Sequence, residues 1–326
     1  KIVLKTGGRP IGLTDDDADW MGWARSKDPL VGFPWQTSSD RVTTGIWMWS
    51  EPITVKSKDG QEYDILLMDT QGVFDEHTTP QQWSILVGLG LISSSCLIFN
   101  LSSDLQEDQL NIFDKFLQFG LLALQDQVNE SDSSVETPFQ KLVFLIRDWS
   151  NTQQYALGSG GGDNFIQKKL EIKPHHKDAH KRVREQMHKC FEKVNCFLLP
   201  NPGSAAFELN YNGATANCTL YLAELEKSIL ELMNPNEFPL KKLNGNYLTG
   251  QDYLTHFTLY CNLLSSDKMP DSESFYQIAS RSCNSVVINK CIDKVNEELE
   301  KVLATRPFFK EDDLLQLQED ILRKAS

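Results

Sequence analysis

Short apolar segments alternate with longer amphipathic patterns along most of the chain. Strand-like segments occur at 45–49, 65–68, 96–101, 142–146 and 196–199. Patterns with helical periodicity lie near 82–93, 105–126, 163–170, 177–193 and 219–233. Uninterrupted apolar strands separated by helices are typical of a parallel sheet that helices cover on both faces. The sequence therefore predicts an α/β fold with a doubly wound, mostly parallel sheet.

The C-terminal part of the chain has a different pattern, in which apolar residues recur at helical spacing. One stripe comprises Ile288, Ile292, Val295, Leu299 and Val302, and a second, after Pro307, comprises Leu314, Leu317, Ile321 and Leu322. Because two amphipathic helices cannot bury both stripes by themselves, we expect the start of a helical bundle. The predicted organisation is an α/β domain over 1–262, a linker over 263–270 and a partial helical domain over 271–326.

Two segments between the predicted elements have loop-like composition. Residues 125–136 are polar and rich in Ser and Asp, and residues 158–162 read Gly-Ser-Gly-Gly-Gly. Clusters of small and polar residues of this kind are typical of connecting segments. We therefore expect a mobile surface loop at the first position and a flexible segment at the second.

Charge and cysteine content narrow the possible functions. The 326 residues include 32 basic and 45 acidic side chains, which give a formal charge of −13. This charge argues against nucleic acid as a partner, because binding to nucleic acid depends on neutralising its phosphates. The seven cysteines have no framework spacing and form no CxxC pair. They indicate reduced, buried thiols rather than disulfides or a structural zinc site.

One uncharged stretch, residues 77–103, raises the question of a membrane span. Gly88, Gly90 and three serines at 93–95 interrupt its apolar pattern. The stretch therefore predicts a buried helix, a turn and a buried strand rather than one spanning helix. Since the chain also opens on a strand-like run at Lys1, we expect no signal peptide and a soluble chain.

Candidate chemistry lies just after the predicted strands, because ligands of parallel α/β sheets bind beyond the carboxyl ends of the strands. Asp69 ends one such strand and Gly72 follows it in a DxxG pattern. The carboxylate can hold a hydrated Mg²⁺, and the glycine lets a backbone N–H approach a γ-phosphate. By itself this short pattern favours the alternative, a plain strand-end turn in which Asp69 accepts backbone hydrogen bonds.

Two further strand ends carry suitable groups. Asp148 follows Arg147 after the strand at 142–146, and a fixed carboxylate there can accept two hydrogen bonds from guanine, which adenine does not offer. The alternative is a surface ion pair or a helix cap. Thr43 precedes the strand at 45–49, and its hydroxyl can complete the coordination of Mg²⁺. The alternative for Thr43 is a backbone hydrogen bond at the strand entry.

The order of these motifs adds to the argument. A loop threonine, Asp-x-x-Gly, Arg-Asp and a Pro-Asn-Pro-Gly segment at 200–203 follow successive strands. In a parallel sheet these positions share one edge, where a nucleotide lies. We therefore predict that Thr43, Asp69 and Asp148 converge at one rim of the sheet around a pocket for a guanine nucleotide.

At this point the sequence resembles a known family. The runs Thr-Thr-Gly-Ile-Trp-Met-Trp (43–49), Leu-Leu-Met-Asp-Thr-Gln-Gly (66–72), Asn-Leu-Ser…Gln-Glu-Asp (100–108), Phe-Leu-Ile-Arg-Asp-Trp-Ser (144–150) and Cys-Phe-Leu-Leu-Pro-Asn-Pro-Gly (196–203) closely resemble the atlastins. Atlastins are dynamin-related GTPases of the GB1/RHD3 type. The resemblance runs from about Asp19 to the C-terminus. Guanylate-binding proteins share part of it, but the longer matches favour the atlastins.

The resemblance implies roles for particular residues. The implied nucleotide-binding positions are Thr43, Thr44, Asp69, Gly72, Arg147, Asp148, Asn201 and Pro202. Among them, Thr43 and Asp69 correspond to the magnesium ligands, and Gly72 corresponds to the residue that contacts the γ-phosphate. Arg147 and Asp148 correspond to the base-reading pair, and the 200–203 segment to the start of the guanine cap. After Ser150 the chain departs from the family, which indicates loop variation near the base.

The resemblance also implies an activity and partners. It implies a GTP-binding, GTP-hydrolysing protein that uses Mg²⁺ and forms a homodimer through its G domain and helical bundle. The full-length parent is expected at the cytosolic face of the endoplasmic reticulum, where it tethers and fuses membranes through segments absent here. Two alternatives stay open. One is a catalytically silent homotypic interaction module, and the other is a GTPase like the guanylate-binding proteins.

The phosphate-binding loop is where the sequence departs most from the family. Residues 7–14 mimic the spacing of a Gly-x4-Gly-Lys-Ser loop, but Leu13 stands at the lysine position and Pro10 lacks a backbone donor. The catalytic residues therefore stay unidentified, and we expect this chain to hydrolyse GTP poorly or not at all. The missing loop is explained either by truncation or a faulty gene model, which we favour, or by natural loss.

Overall fold

The computed structural model describes the chain in segments. Described are residues 32–34, 42–56, 60–72, 79–114, 117, 137–208, 211, 219–234, 236–243, 246–264, 288, 291–292, 294–302 and 304. The predictions for 7–14 and 125–136 and for the second C-terminal stripe lie outside these residues, and so does most of the predicted linker.

The described elements begin with four short strands, after which helices and strands are mixed along the chain. The strands are β1 (Ile46–Met48), β2 (Ile53–Lys56), β3 (Glu62–Ile65), β4 (Met68–Thr70), β5 (Cys96–Ser102), β6 (Phe139–Arg147), β7 (Phe191–Leu198), β8 (Lys242–Leu243) and β9 (Asn246–Tyr247). The helices are α1 (Pro80–Ser93), α2 (Glu107–Asn111), α3 (Gly158–Leu170), α4 (Asp178–Cys190), α5 (Thr219–Leu232) and α6 (Gly250–Leu264), and a 3₁₀ turn covers Ser204–Phe207.

The centre of the fold is a parallel sheet in the order β5-β6-β7. Its middle strand is almost wholly inaccessible, and Leu142, Phe144 and Ile146 are 0 % exposed. A strand covered on both faces needs apolar residues at successive positions, which is why residues 142–146 of β6 are all hydrophobic. The predicted α/β fold and its parallel sheet are confirmed here.

The strands before residue 71 pair differently from the prediction. β1 pairs antiparallel with β4, and β2 pairs antiparallel with β3. The predicted strand at 65–68 instead spans the end of β3, the connection and the start of β4, so Asp69 lies inside β4 opposite Trp47. We expected all four motif positions to share one edge of a parallel sheet. This is wrong for Thr43 and Asp69, because β1 and β4 form a separate antiparallel pair. A continuous apolar run shows that a segment is buried but not which strand it pairs with.

The glycine-rich segment predicted to be flexible is instead the start of α3. A Cβ atom at Gly161 would lie 1.8 Å from the carbonyl oxygen of Ala156, and one at Gly162 would lie 2.0 Å from that of Cys196 in β7. These glycines are therefore needed because the backbone of α3 passes close to neighbouring backbone. Their role is close packing rather than flexibility.

Two predicted helices have different bounds in the structure. The pattern at 177–193 becomes α4, which ends at Cys190, and β7 begins at the next residue. The pattern that begins at 105 yields the short helix α2, and residues 118–126 are outside the described part of the chain. Arg184 of α4, only 2 % exposed, forms a bidentate ion pair with Glu107 of α2 and also donates from Nε to the carbonyl of Lys169 at 2.9 Å. This arginine thus joins α2, α3 and α4.

The uncharged stretch forms a helix, a short turn and a strand, as predicted. α1 covers Pro80–Ser93, residues 94–95 turn, and β5 begins at Cys96. Among the helices of the described chain, none has both the length and the apolar character that crossing a bilayer requires. Farther along, residues 294–302 are helical, in agreement with the first C-terminal stripe.

Candidate functional site

The β1–β4 ladder brings Thr43 to Asp69. Asp69 lies in β4 opposite Trp47, and Thr43 lies in the segment just before β1, from which its side chain reaches Asp69. The hydroxyl Oγ1 of Thr43 donates to Oδ2 of Asp69 at 2.6 Å. Thr43 is 7 % exposed, so the hydroxyl is held against the carboxylate by its surroundings as well as by this bond. The backbone alternative for Thr43 does not account for this contact.

Gln71 fixes the backbone beside this pair. Its N–H donates to the carbonyl of Gly45 at 2.8 Å, and its side-chain Oε1 accepts from the N–H of Gly45 at 3.1 Å. Gly45 has a φ of 71°, in the left-handed region that favours glycine. Gln71 thereby adds two hydrogen bonds to Gly45 beyond the last residue pair of the β1–β4 ladder. Sequence reasoning gave Gln71 no such role, and no signal in the motif indicates it.

The neighbouring predicted site residues lie at the same end of the ladder. The carbonyl oxygen of Thr44 accepts a hydrogen bond from the indole nitrogen of Trp47 at 3.1 Å. Gly72 follows Gln71, and a Cβ atom built on it would meet none of the described atoms within 4 Å. Gly72 is itself exposed.

The donor set of Thr43 and Asp69 is suited to a hard divalent cation. Mg²⁺ prefers oxygen ligands, and its adjacent ligands lie about 2.9 Å apart in an octahedron with 2.0–2.1 Å bonds. The two side-chain oxygens are 2.6 Å apart, so the pair fits two adjacent positions with little movement. In the described part of the chain, no group of three or more His, Cys, Asp or Glu side chains is placed to hold a metal. A two-ligand site leaves the other positions to water and phosphate, which is the usual arrangement for Mg²⁺.

The second set of predicted residues lies at the carboxyl end of the parallel sheet. Asp148 follows β6 with a φ of 58°, a left-handed conformation that is uncommon for a residue other than glycine. Its Oδ2 accepts from the hydroxyl of Ser102 at 3.0 Å, and its Oδ1 accepts from Nδ2 of Asn201 at 2.8 Å. We call Ser102, Asp148 and Asn201 the Asp148 cluster. Three strands contribute to it, since Ser102 ends β5 and Asn201 follows β7.

The loop after β7 is ordered by Asn201 itself. Its side-chain Oδ1 accepts from the N–H of Gly203 at 2.8 Å, and Gly203 has a φ of 99°. The half-buried Pro202 lies between them. The asparagine therefore binds its own turn with one end of its amide and Asp148 with the other.

Arg147 points to the neighbouring strand. Its Nε donates to Oδ1 of Asn100 in β5 at 2.8 Å, and both side chains are exposed. Asn100 and Ser102 were not predicted as site residues. The signal that could have found them is their i, i+2 spacing at the end of β5, beside the strand that carries Arg-Asp.

The structure thus places the predicted residues in two clusters. Thr43 is brought to Asp69 on the β1–β4 ladder, and Asp148 is brought to Asn201 at the end of the β5–β7 sheet. The convergence of Thr43, Asp69 and Asp148 around one nucleotide stays a prediction.

Comparison with known proteins agrees with the α/β fold and these motifs. The family model described as the guanylate-binding protein N-terminal domain matches residues 19–217, which is more than half of the chain. The chain therefore belongs to the guanylate-binding protein family of α/β domains. The matched region starts at Asp19, where the resemblance seen in the sequence also begins.

Similar proteins include several atlastins, which confirms the resemblance. Atlastin-1 of Bos taurus is 32 % identical over 315 residues, covering 94 % of this chain and 55 % of the relative. Atlastin-3 of Mus musculus is 34 % identical over 301 residues, covering 92 % and 54 %, and atlastin-3 of Homo sapiens is 33 % identical with the same coverage. The chain thus spans about 55 % of the length of these relatives.

Proposed function

We propose that this chain is the guanine-nucleotide-binding part of a dynamin-like GTPase. The observation that carries the proposal is the Asp148 carboxylate, fixed at the carboxyl end of the parallel sheet by Ser102 and Asn201. The chain belongs to a family whose name states that its members bind guanylate, and this membership supports the same assignment.

A fixed carboxylate at this position suits a guanine base. Guanine presents the N1–H and the 2-amino group side by side, and a carboxylate accepts from both at once. Adenine lacks this donor pair, so it would leave the carboxylate unsatisfied. Since Asp148 is already oriented by two hydrogen bonds, less conformational freedom is lost when the base binds. Arg147, adjacent in sequence, is proposed to act with it.

The Thr43–Asp69 pair is proposed to serve the phosphate end of the nucleotide. Bound there, Mg²⁺ would neutralise charge on the β- and γ-phosphates. Thr43 and Asp69 supply its oxygen ligands, and the exposed Gly72 is proposed to offer its backbone N–H to the γ-phosphate. Thr44 belongs to the same loop.

Hydrolysis by this chain is proposed to be impaired. Phosphoryl transfer depends on fixed positive charge and amide donors around the transferred group, and removing one such donor costs about 10²–10³-fold in rate. Leu13 and Pro10 stand where the motif needs a lysine and a donor. This sequence observation favours the second candidate, a catalytically silent module that keeps the fold. A third candidate, a GTPase like the guanylate-binding proteins, shares the same family domain.

For the whole protein we propose the activity that the atlastin resemblance implies. Its nucleotide state would control homodimerisation through the G domain and helical bundle, and so the tethering and fusion of endoplasmic-reticulum membranes from the cytosolic face. Nucleic acid is not a proposed partner, because the formal charge of −13 opposes it.

Calorimetric titration of the purified chain separates these candidates. GTP, GDP and ATP are each titrated with Mg²⁺ and with EDTA. We expect GTP and GDP to bind at least about tenfold more tightly than ATP, which corresponds to about 1.4 kcal/mol, and GTP to bind more weakly in EDTA. An absence of binding to any nucleotide would support the silent module. Equal affinity for GTP and ATP would contradict guanine recognition by Asp148.

A further inference from the structure

The end of β5 carries two polar side chains on one face. Asn100 and Ser102 are two residues apart in a strand, so their side chains project to the same side, while Leu101 between them is buried. In the parallel ladder, Ser102 lies opposite Arg147. The two polar residues therefore lie next to the Arg147-Asp148 pair on the neighbouring strand.

Each of these side chains holds one member of that pair. Oδ1 of Asn100 accepts from Nε of Arg147 at 2.8 Å, and the hydroxyl of Ser102 donates to Oδ2 of Asp148 at 3.0 Å. The carboxylate of Asp148 is thus bound from the β5 side by Ser102 and from the β7 side by Asn201. Such two-sided binding restricts its rotation.

The sheet does not need these side-chain bonds to close its end. Backbone bonds already do so, from the N–H of Ser103 to the carbonyl of Arg147 at 2.8 Å and from that of Trp149 to Leu199 at 2.9 Å. Exposed polar pairs contribute little to stability, about 0–1 kcal/mol each. Left-handed backbone at Ser103 and Asp148 costs free energy and is found preferentially at functional sites. The arrangement is therefore better explained by orientation of Arg147 and Asp148 than by stability.

The remaining hydrogen-bonding capacity of Asp148 matches the proposed base. An ionised carboxylate has two oxygens with about four acceptor positions in total. Ser102 and Asn201 occupy one on each oxygen. Counting donors from the described residues, one acceptor position is left on each oxygen, and guanine offers two adjacent donors.

We propose that Asn100 and Ser102 are positioning residues that set the preference for guanine by orienting Arg147 and Asp148. This inference rests on the proposed nucleotide-binding function. It assigns to the Asn-Leu-Ser segment of β5 a role in base selection, exerted through its neighbours rather than by contact with the base.

The test measures GDP and ADP affinities of the purified chain and its variants by calorimetry. For Ser102→Ala we expect GDP affinity to fall about three- to tenfold, as for the loss of one hydrogen bond to an exposed charged group, with ADP affinity unchanged. Ser102→Thr keeps the hydroxyl and should retain the GDP affinity of the original chain. Asn100→Ala should also lower GDP affinity selectively, and Asn100→Asp, which keeps an acceptor for Arg147, should not.

A matched control and a second background distinguish positioning from a structural effect. Thr54→Ala removes a hydroxyl–carboxylate bond of 2.6 Å to Asp64 in the β2–β3 ladder and should leave both affinities unchanged. In an Asp148→Ala background, Ser102→Ala should have no further effect on GDP affinity, because the residue through which it acts is gone.

The possible outcomes are distinct. If the original chain prefers GDP and Ser102→Ala keeps the full preference, this inference is wrong while the proposed function stands. Equal losses for GDP and ADP, or an additive loss in the Asp148→Ala background, would also overturn it. If the original chain does not distinguish GDP from ADP, the proposed function and this inference fail together.

Discussion

Hydrogen bonds to individual carboxylate oxygens hold together the two clusters of candidate site residues. The Thr43 hydroxyl lies 2.6 Å from the Asp69 carboxylate, and the Asp148 carboxylate receives two side-chain donors. In both clusters a neutral polar group donates a hydrogen bond to a carboxylate oxygen.

Asp148→Asn tests the carboxylate directly. The amide has one acceptor oxygen where the carboxylate has two, and its NH₂ would face the donor of Ser102 or of Asn201. We expect GDP affinity to fall at least about tenfold, equivalent to about 1.4 kcal/mol, with ADP affinity unchanged. Asp64→Asn is the matched control, since Asp64 also accepts a hydrogen bond from a hydroxyl, in this case that of Thr54. Both affinities are measured by calorimetry. If Asp64→Asn lowers GDP affinity as much as Asp148→Asn does, Asp148 has no specific role in binding GDP.

Thr43→Ala tests the proposed magnesium site. The variant keeps Asp69 but loses one oxygen ligand, so the dependence of GTP binding on Mg²⁺ should weaken. We expect the ratio of GTP affinities in Mg²⁺ and in EDTA to fall several-fold, and Thr43→Ser to preserve it because serine retains the hydroxyl. Affinities are measured by titration at several Mg²⁺ concentrations. An unchanged ratio in Thr43→Ala would show that Thr43 is not a ligand.

At the scale of elements, close packing of α3 against β7 depends on glycine. Gly162→Ala would place a Cβ 2.0 Å from the carbonyl oxygen of Cys196, so backbone must move. We expect a loss of about 2–4 kcal/mol in the free energy of unfolding. Gly160→Ala is the matched control, because a Cβ there meets no atom of the described residues within 4 Å. Alanine should stabilise the helix at that position by up to about 1 kcal/mol. Urea unfolding of both variants measures the difference, and similar stabilities would contradict the packing role.

The ion pair between α2 and α4 predicts a pH dependence. Hydrogen bonds from Arg184 hold the pKa of Glu107 below its ordinary value of 4.5. A lowered pKa in the folded state means that the pair stabilises the fold above about pH 4.5 and loses this contribution as the pH falls through the folded-state pKa. Glu107→Gln should therefore be less stable than the original chain at pH 7, and the difference should shrink toward pH 3. Thermal unfolding across this range measures it, and a constant difference would contradict the assignment.

Many of the helices and strands could be predicted from the sequence, but not all of them and not all of their pairings. β5 and β6 are apolar at successive positions, and burial on both faces produces that signal regardless of partner. The pairing of β1 with β4 could not be predicted, because periodicity does not specify which strands meet. The Gly158–Gly162 segment was mistaken for a loop because glycine is used both in turns and where backbones pack closely. Of the candidate site residues, Thr43, Asp69 and Asp148 were singled out from motifs, whereas the motifs did not indicate the contacts that Asn100, Ser102 and Gln71 make.

For the whole molecule, we expect nucleotide binding to be retained while GTP hydrolysis is slow. The proposed base recognition by Asp148 depends on the end of the parallel sheet, whereas hydrolysis also requires phosphate-loop donors that the sequence of residues 7–14 does not supply. We expect the purified chain to bind GTP while releasing phosphate about 10²–10³-fold more slowly than a GTPase with an intact loop. Phosphate release at saturating GTP with Mg²⁺ checks this, and ordinary turnover would contradict it.

We infer that this chain recognises a guanine base through the fixed carboxylate of Asp148. The most direct measurement is a calorimetric titration of the purified chain with GDP, inosine diphosphate and ADP under the same conditions. Hypoxanthine keeps the N1–H of guanine but lacks the 2-amino group, so it retains one of the two donors. We expect GDP to bind most tightly, inosine diphosphate to bind about three- to thirtyfold more weakly, and ADP to bind most weakly. Equal affinity for all three nucleotides, or a preference for ADP, would contradict it.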